Sequence, residues 1–266
     1  MIIEDNSYNF RVANYVVTFV HKFNARLPPR FHIHKGSYAF PNSRDRIFLF
    51  LKFGRSNFYY KMKTKPLIIG SGKLGMQIAE LFECATVTTT KDPSEVLCPE
   101  NIEVAQYYSG SQTEEYDSQK VLDQLVQNHD LIFVVVSPNK AKLGGLSFDE
   151  NFYKVFNTTY DRTTKEIASA IKHNENAKVI YISAHSVYGN SEAPVNEKSE
   201  LHAIHKCAET LIKAEENIKM CPKHLILRSG WIVRTEEHWK NFVSTMAQSY
   251  TFPGDGSARG NFVHVE

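Results

Sequence analysis

From Lys65 onward, short apolar runs alternate with stretches in which apolar residues return every three or four positions. Pro66 to Ile69 reads as a short strand that runs into Gly70-Ser71-Gly72. Leu74, Ile78, Leu81 and Phe82 then mark one face of a helix. Ala85 to Thr90 is β-branched and predicts a second strand, with a short third near Ile102 to Ala105. Val121, Leu122, Leu125 and Val126 mark another helix. Leu131 to Val136 is the longest apolar run, six residues, as expected of a central parallel strand buried on both faces. A long helix is expected over about Asn151 to Lys172, then a strand over Val179 to Ile182. Leu201, Ile204, Ala208, Leu211 and Ile212 predict a helix ending before Pro222, and Leu225 to Leu227 a last strand. The alternation predicts an α/β fold: a Rossmann-like, doubly wound parallel sheet with helices on both faces.

Residues 1–61 do not join this pattern, because their periodicity is mixed and Pro28-Pro29 interrupts it. Charge changes the picture further. The whole chain of 266 residues carries a formal +2, which excludes a uniformly basic nucleic-acid binder. Residues 1–61, however, hold 10 Lys and Arg against 3 Asp and Glu, and 14 of the 30 Phe and Tyr. The remaining 205 carry a net −5. Met62 opens Met-Lys-Thr-Lys-Pro-Leu-Ile-Ile-Gly-Ser-Gly, a strand-first beginning, so Met62 reads as the natural start. Residues 1–61 are then a basic, aromatic-rich extension, poorly ordered or non-native. The alternative is a basic arm for an anionic surface. His32 and His34 lack a third ligand and carry no metal site, and none is expected elsewhere. With 42% hydrophobic and 23% charged residues, wholesale disorder is excluded, and no apolar run is long enough to span a membrane. Cys84, Cys98, Cys207 and Cys221 share no C-x-x-C spacing and read as reduced thiols, so a cytoplasmic location is expected.

Gly70-Ser71-Gly72-Lys73-Leu74-Gly75 is G-x-G-x-x-G between a predicted strand and a predicted helix. In that setting Gly70 permits the tight turn, Gly72 lets backbone approach a pyrophosphate, and Gly75 lets helix and strand pack. A Walker loop fails, because Lys73 is followed by Leu74 rather than Ser or Thr. Gly70, Gly72, Lys73, Leu74, Gly75 and Ser137 are the expected dinucleotide contacts. The second strand ends Thr89-Thr90-Lys91 rather than in an acid. Hydroxyls and an ammonium would hold a 2′-phosphate, so NADP is preferred. Asp92 lies just beyond and keeps NAD as the alternative.

Tyr181-Ile-Ser-Ala-His-Ser-Val-Tyr-Gly189 resembles the strand-five segment of the extended and atypical short-chain dehydrogenase/reductases, the NAD-dependent epimerase/dehydratase family. Pro194-Val-Asn-Glu197, Leu227-Arg-Ser-Gly-Trp-Ile-Val233 and Gly254-Asp-Gly-Ser-Ala-Arg-Gly-Asn-Phe-Val-His-Val-Glu266 are similar to further segments of that family. The resemblance implies a Y-x-x-x-K dyad on a helix with an upstream Ser or Thr. Here Lys206 matches the lysine, and His202 stands where the tyrosine is expected. The upstream position falls on Ala184, with Ser183 and Ser186 beside it as substitutes. The resemblance also implies that Glu266 stops inside a motif, so the C-terminal substrate lobe is expected to be largely missing. The expected division is an extension at 1–61, an NAD(P)-binding domain at 62–240 and the start of a substrate-binding segment at 241–266. Two functions stay open. One is an NAD(P)-dependent oxidoreductase, epimerase or dehydratase acting on a sugar-nucleotide-like or other carbonyl/alcohol substrate. The other is a catalytically degenerate dinucleotide-binding protein. A small-molecule substrate and a homodimer are the expected partners, with no nucleic acid.

Overall fold

The strand–helix alternation builds a six-stranded parallel sheet. The computed structural model describes residues 62–138, 148–190, 194–233, 244 and 262–264. The expectations for 1–61 and for nearly all of 241–266 therefore lie outside the described residues. The chain divides into two units, Lys61–Gly230 and a second of Met1–Tyr60 with Trp231–Glu266.

In the first unit the elements run β1 Leu67–Ile69, α1 Lys73–Ala79, β2 Ala85–Thr89, β3 Ile102–Gln106, α2 Ser118–Gln127 and β4 Leu131–Val134. They continue with α3 Glu150–Asn157, α4 Thr163–Ala170, β5 Lys178–Ala184, α5 Lys206–Lys219 and β6 His224–Ser229. The sheet order is β3-β2-β1-β4-β5-β6, and every pairing is parallel. This is the doubly wound order, whose direction reverses between β1 and β4. In the second unit, β7 Trp231–Val233 pairs in parallel with β8 Phe262–His264.

Alternate residues of each strand serve opposite faces. Leu67, Ile69, Ile132, Val134, Val179 and Tyr181 pack with Leu122 and Val126 of α2, Ile167 of α4 and Ile218 of α5. Ile68, Ala85, Val87 and Ile102 pack with Ala79 of α1 on the other face. Each large aliphatic side chain so buried contributes about 1.5–3 kcal/mol of transfer free energy. Helix starts follow local chemistry: Asp117 accepts from the Gln119 and Lys120 amides, and Asp149 from the Phe152 amide. Among the described residues, no helix is long and apolar enough to cross a membrane.

Two expectations about helices change. The long helix after β4 is broken by a π-helical turn, Thr158–Arg162. Thr158, Thr159 and Thr164 return their hydroxyls to carbonyls one turn back. The Asp161 carbonyl accepts from Asn217 of α5 instead. Such back-bonding and side-chain insertion interrupt the regular ladder. The helix before Pro222 begins at Lys206, not near Leu201. His205 is extended and caps it, Nδ1 accepting from the Ala208 amide at 3.0 Å. Leu201 and Ile204 continue the apolar spacing, but they and His202 lie ahead of the cap.

Candidate functional site

In a parallel doubly wound sheet, ligands bind beyond the carboxyl ends of the strands, at the point where strand order reverses. The glycine loop follows β1 at that point. Gly70 has φ +116°, and a Cβ there would lie 2.5 Å from the Val135 carbonyl oxygen. A Cβ at Gly75 would overlap the Gly70 carbonyl. These two glycines are demanded by the fold. Gly72 is different: its φ is −67°, and among the described residues a Cβ would meet nothing within 4 Å. No contact among the described residues requires glycine there, whereas a ligand lying against that backbone would.

Gly72 and Lys73 are exposed, Leu74 is half-buried and Gly75 is buried. Ser137 is exposed just past β4. At the end of β2, Thr89 is buried and its hydroxyl accepts from the Lys91 amide at 3.1 Å. Thr90 and Lys91 are exposed. The Asp92 carboxylate is committed: Oδ1 accepts from the Ser94 amide at 2.9 Å and the Ser94 hydroxyl at 2.6 Å. Those bonds from the Ser94 hydroxyl and amide hold its carboxyl below the usual range.

The residues singled out for catalysis are distributed less simply. Ser183, 4% exposed, donates its hydroxyl to Oε1 of Glu215 at 2.6 Å. It shares the β5 face of Val179 and Tyr181, which packs against α2, α4 and α5. Of the two serines flanking Ala184, only Ser186 belongs to the turn beyond the strand, His185–Tyr188. His202 does not share a helical face with Lys206, since it precedes the cap. Its amide donates to the Val187 carbonyl at 2.9 Å, and its ring lies 3.7 Å from the Glu200 carboxylate with the side chain 62% exposed. Lys206 opens α5, its ammonium 5.0 Å from the centroid of the Tyr153 ring. Tyr153 belongs to α3, so the tyrosine ring beneath the Lys206 ammonium comes from a different element than the dyad spacing implies.

Two buried carboxylates brace the site. Glu215, fully buried in α5, accepts from Arg228 of β6 at 3.0 Å (Nε to Oε1) and 2.7 Å (Nη2 to Oε2). Arg228 also donates to the Tyr188 hydroxyl at 2.8 Å, which ties the turn after β5 to β6. Its hydrogen bonds to Glu215 raise the guanidinium further above its ordinary value. Glu166 of α4 accepts from Tyr107, Gly110, Ser118 and Arg162 at 2.6–3.1 Å, fixing the loop between β3 and α2. Burial, with Glu166 beside it, pushes the Tyr107 phenol well up. Burial likewise pushes Tyr160 up to about 12, with Cys207 adding to it. Periodicity alone passes over both carboxylates. The available signal for Glu215 is an acid on the apolar stripe that runs through Ala208, Leu211 and Ile218.

Residues 150–252 match the family model described as the RmlD substrate binding domain. Among curated proteins none matches the chain in sequence. Solved structures share its fold. A UDP-glucuronic acid 4-epimerase variant from Bacillus cereus, solved with a fluorinated UDP-glucuronic acid and NAD, is 17% identical with a TM-score of 0.56. That alignment covers 76% of this chain and 69% of the epimerase. MoeE5, solved with UDP-glucose and NAD, is 15% identical over 75% of this chain and 67% of its own, with a TM-score of 0.55. WbmH of Bordetella bronchiseptica, solved with NAD+, is 16% identical with a TM-score of 0.52. The WbmH alignment covers 64% of this chain, which spans 57% of the WbmH chain. The family match over 150–252, together with this sheet order and glycine loop, supports a chain of the extended short-chain dehydrogenase/reductase type.

Proposed function

We propose that the chain binds a nicotinamide dinucleotide at the β1–β4 switch point and acts on a sugar-nucleotide-like or other carbonyl/alcohol substrate. The observation that carries this reading is Gly72, where open space surrounds the absent Cβ in a loop otherwise closed by contact. Gly70, Gly72, Lys73, Leu74 and Gly75 would hold the pyrophosphate, with Ser137 beside it. Relatives of the same fold solved with NAD and UDP-sugars support the ligand class. NADP is the preferred form. Asp92 is engaged by Ser94, while Thr90 and Lys91 are exposed at the strand end where a 2′-phosphate would lie. We assign the binding domain to 62–240, the start of a substrate-binding segment to 241–266 and the basic extension to 1–61.

Hydride chemistry is the dinucleotide's own contribution when it is bound. In this reading Ser186 polarises the substrate carbonyl, His202 moves the proton, and Lys206 holds the nicotinamide ribose. A second reading, binding without turnover, is favoured by the commitment of Ser183 to Glu215 and by the position of His202 outside the helix. Fluorescence titration with NADPH and NADH tests the common premise: tighter NADPH binding is expected, and binding of neither overturns it. Turnover that is lost in His202→Ala and Lys206→Ala while dinucleotide binding persists supports the enzyme. Turnover unchanged in both overturns the catalytic assignment. If sugar-nucleotide substrates give no turnover with a bound dinucleotide, the second reading stands.

A further inference from the structure

The β2 strand carries two threonines, Thr86 and Thr88, on the face opposite Val87, and both are almost wholly buried at 1% and 2% exposure. Valine would fill such positions in a strand equally well, because it has the same shape and stiffness. A buried hydroxyl is retained without penalty only where it has a partner. Thr86 has two, the Glu103 carboxylate and Nε2 of His129. Among the described residues Thr88 has one, and it lies in the glycine loop: the Gly70 amide donates to Thr88 Oγ1 at 3.1 Å.

The geometry explains why a side chain is used there. Ile69 and Thr88 are the last paired residues of β1 and β2. Gly70 then turns to φ +116°, which takes the chain beyond its N–H off the strand path. The Thr89 carbonyl of β2 faces the β3 side, where it accepts from the Tyr107 amide at 2.9 Å. On the other side, the Ile69 carbonyl accepts from the Val135 amide of the β4 end at 2.9 Å. The Ile69–Gly70 peptide is thus held at its oxygen from β4 and at its nitrogen from Thr88. Its plane sets the direction in which the chain enters Gly70-Ser71-Gly72.

We infer that Thr88 is a positioning residue for the dinucleotide, its hydroxyl fixing the glycine loop in the orientation that receives the pyrophosphate before any ligand arrives. This rests on the dinucleotide reading above. A loop already ordered loses less freedom on binding, so removing the acceptor weakens affinity without removing any ligand contact. Thr88→Val deletes the acceptor and keeps the shape, and Thr88→Ser keeps the acceptor and deletes the methyl.

The test uses the full chain in three forms, wild type, Thr88→Val and Thr88→Ser, titrated with NADPH and NADH and followed by thermal unfolding. Amide hydrogen exchange at Gly70 is measured without ligand. Thr88→Val is expected to bind about three- to tenfold more weakly, the span of one ordinary hydrogen bond. Thr88→Ser is expected to restore affinity, and Gly70 protection to fall in the valine variant alone. Equal affinity for wild type and Thr88→Val, or equal loss in both variants, overturns the positioning role. Unchanged Gly70 protection in Thr88→Val overturns the hydrogen bond itself. A wild-type chain that binds neither dinucleotide while Gly70 remains protected overturns the binding reading, and the positioning role with it, but leaves the hydrogen bond standing.

Discussion

The Ser183 hydroxyl donates to the Glu215 carboxylate at 2.6 Å in a fully buried setting, and the same carboxylate holds Arg228 through both of its oxygens. One serine of the strand-five segment is therefore a structural donor. Removing it in Ser183→Ala leaves a buried charge with one bond fewer and should cost about 1–3 kcal/mol of stability in urea denaturation. NADPH affinity should not change. A large loss of affinity with unchanged stability would show that Ser183 faces the ligand instead.

The Glu215–Arg228 pair itself should be far more sensitive to single than to double replacement. Glu215→Ala strands a guanidinium whose side chain is only 15% exposed and should cost about 3–5 kcal/mol. Glu215→Leu combined with Arg228→Met removes both charges and should recover most of that loss. If the double variant is as unstable as the single one, packing and not charge dominates the cluster. The comparison is made on chemical unfolding midpoints.

Gly70 and Gly72 should separate folding from binding. Gly70→Ala places a methyl against the Val135 carbonyl on backbone with positive φ, so both stability and dinucleotide affinity should fall. Gly72→Ala meets open space in an ordinary conformation, so circular dichroism and melting should match wild type. Its affinity for NADPH should nevertheless drop by at least about tenfold, the effect of losing about 1.4 kcal/mol of contact. Full affinity in Gly72→Ala would remove the main support for a ligand against that backbone.

At the strand end, Lys91→Glu should reverse the preference between NADPH and NADH, because a carboxylate repels a 2′-phosphate and accepts from ribose hydroxyls. Competitive titration of the two cofactors measures the ratio. A ratio that does not move would assign the discrimination to other residues.

Acid stability should carry the mark of Glu103. A hydrogen bond from Lys65, with a lesser one from Thr86, holds its carboxyl below the ordinary 4.5. A carboxylate depressed in the folded state stabilises fully above its unfolded value, and that contribution disappears as pH falls through the folded one. The bond is short, 2.7 Å, but the carboxylate side chain is 63% exposed, so the effect should be under about 1 kcal/mol. Glu103→Gln should flatten the stability profile below pH 4.5 and leave the region above pH 6 parallel to wild type. An identical acid slope in both would exclude the contribution.

The strands and most helices are legible in the order of residues because their causes are local. Leu131 to Val134 is apolar on both sides, Thr and Val crowd β2, and Gly70, Gly72 and Gly75 fall between a strand and a helix. Apolar spacing misplaces the start of α5 because Leu201 and Ile204 stay in phase past His205, whose capping geometry ends the helix whatever the period. The π turn at Thr158–Arg162 is hidden for a related reason: it depends on Asn217, which is 56 residues away from Asp161.

The chain's local chemistry thus dictated its fold type, its sheet strands and the glycine loop, since steric preference, burial period and turn chemistry act within a few residues. The partners of Ser183, Glu215, Arg228 and Thr88 were decided only when β5, β6, α5 and β2 came together. A hydroxyl, a carboxylate and a guanidinium have no preferred partner by type, so distance in the folded chain assigns each one. The same holds for His202 and Lys206, whose four-residue spacing suggests a shared helical face that the His205 cap removes.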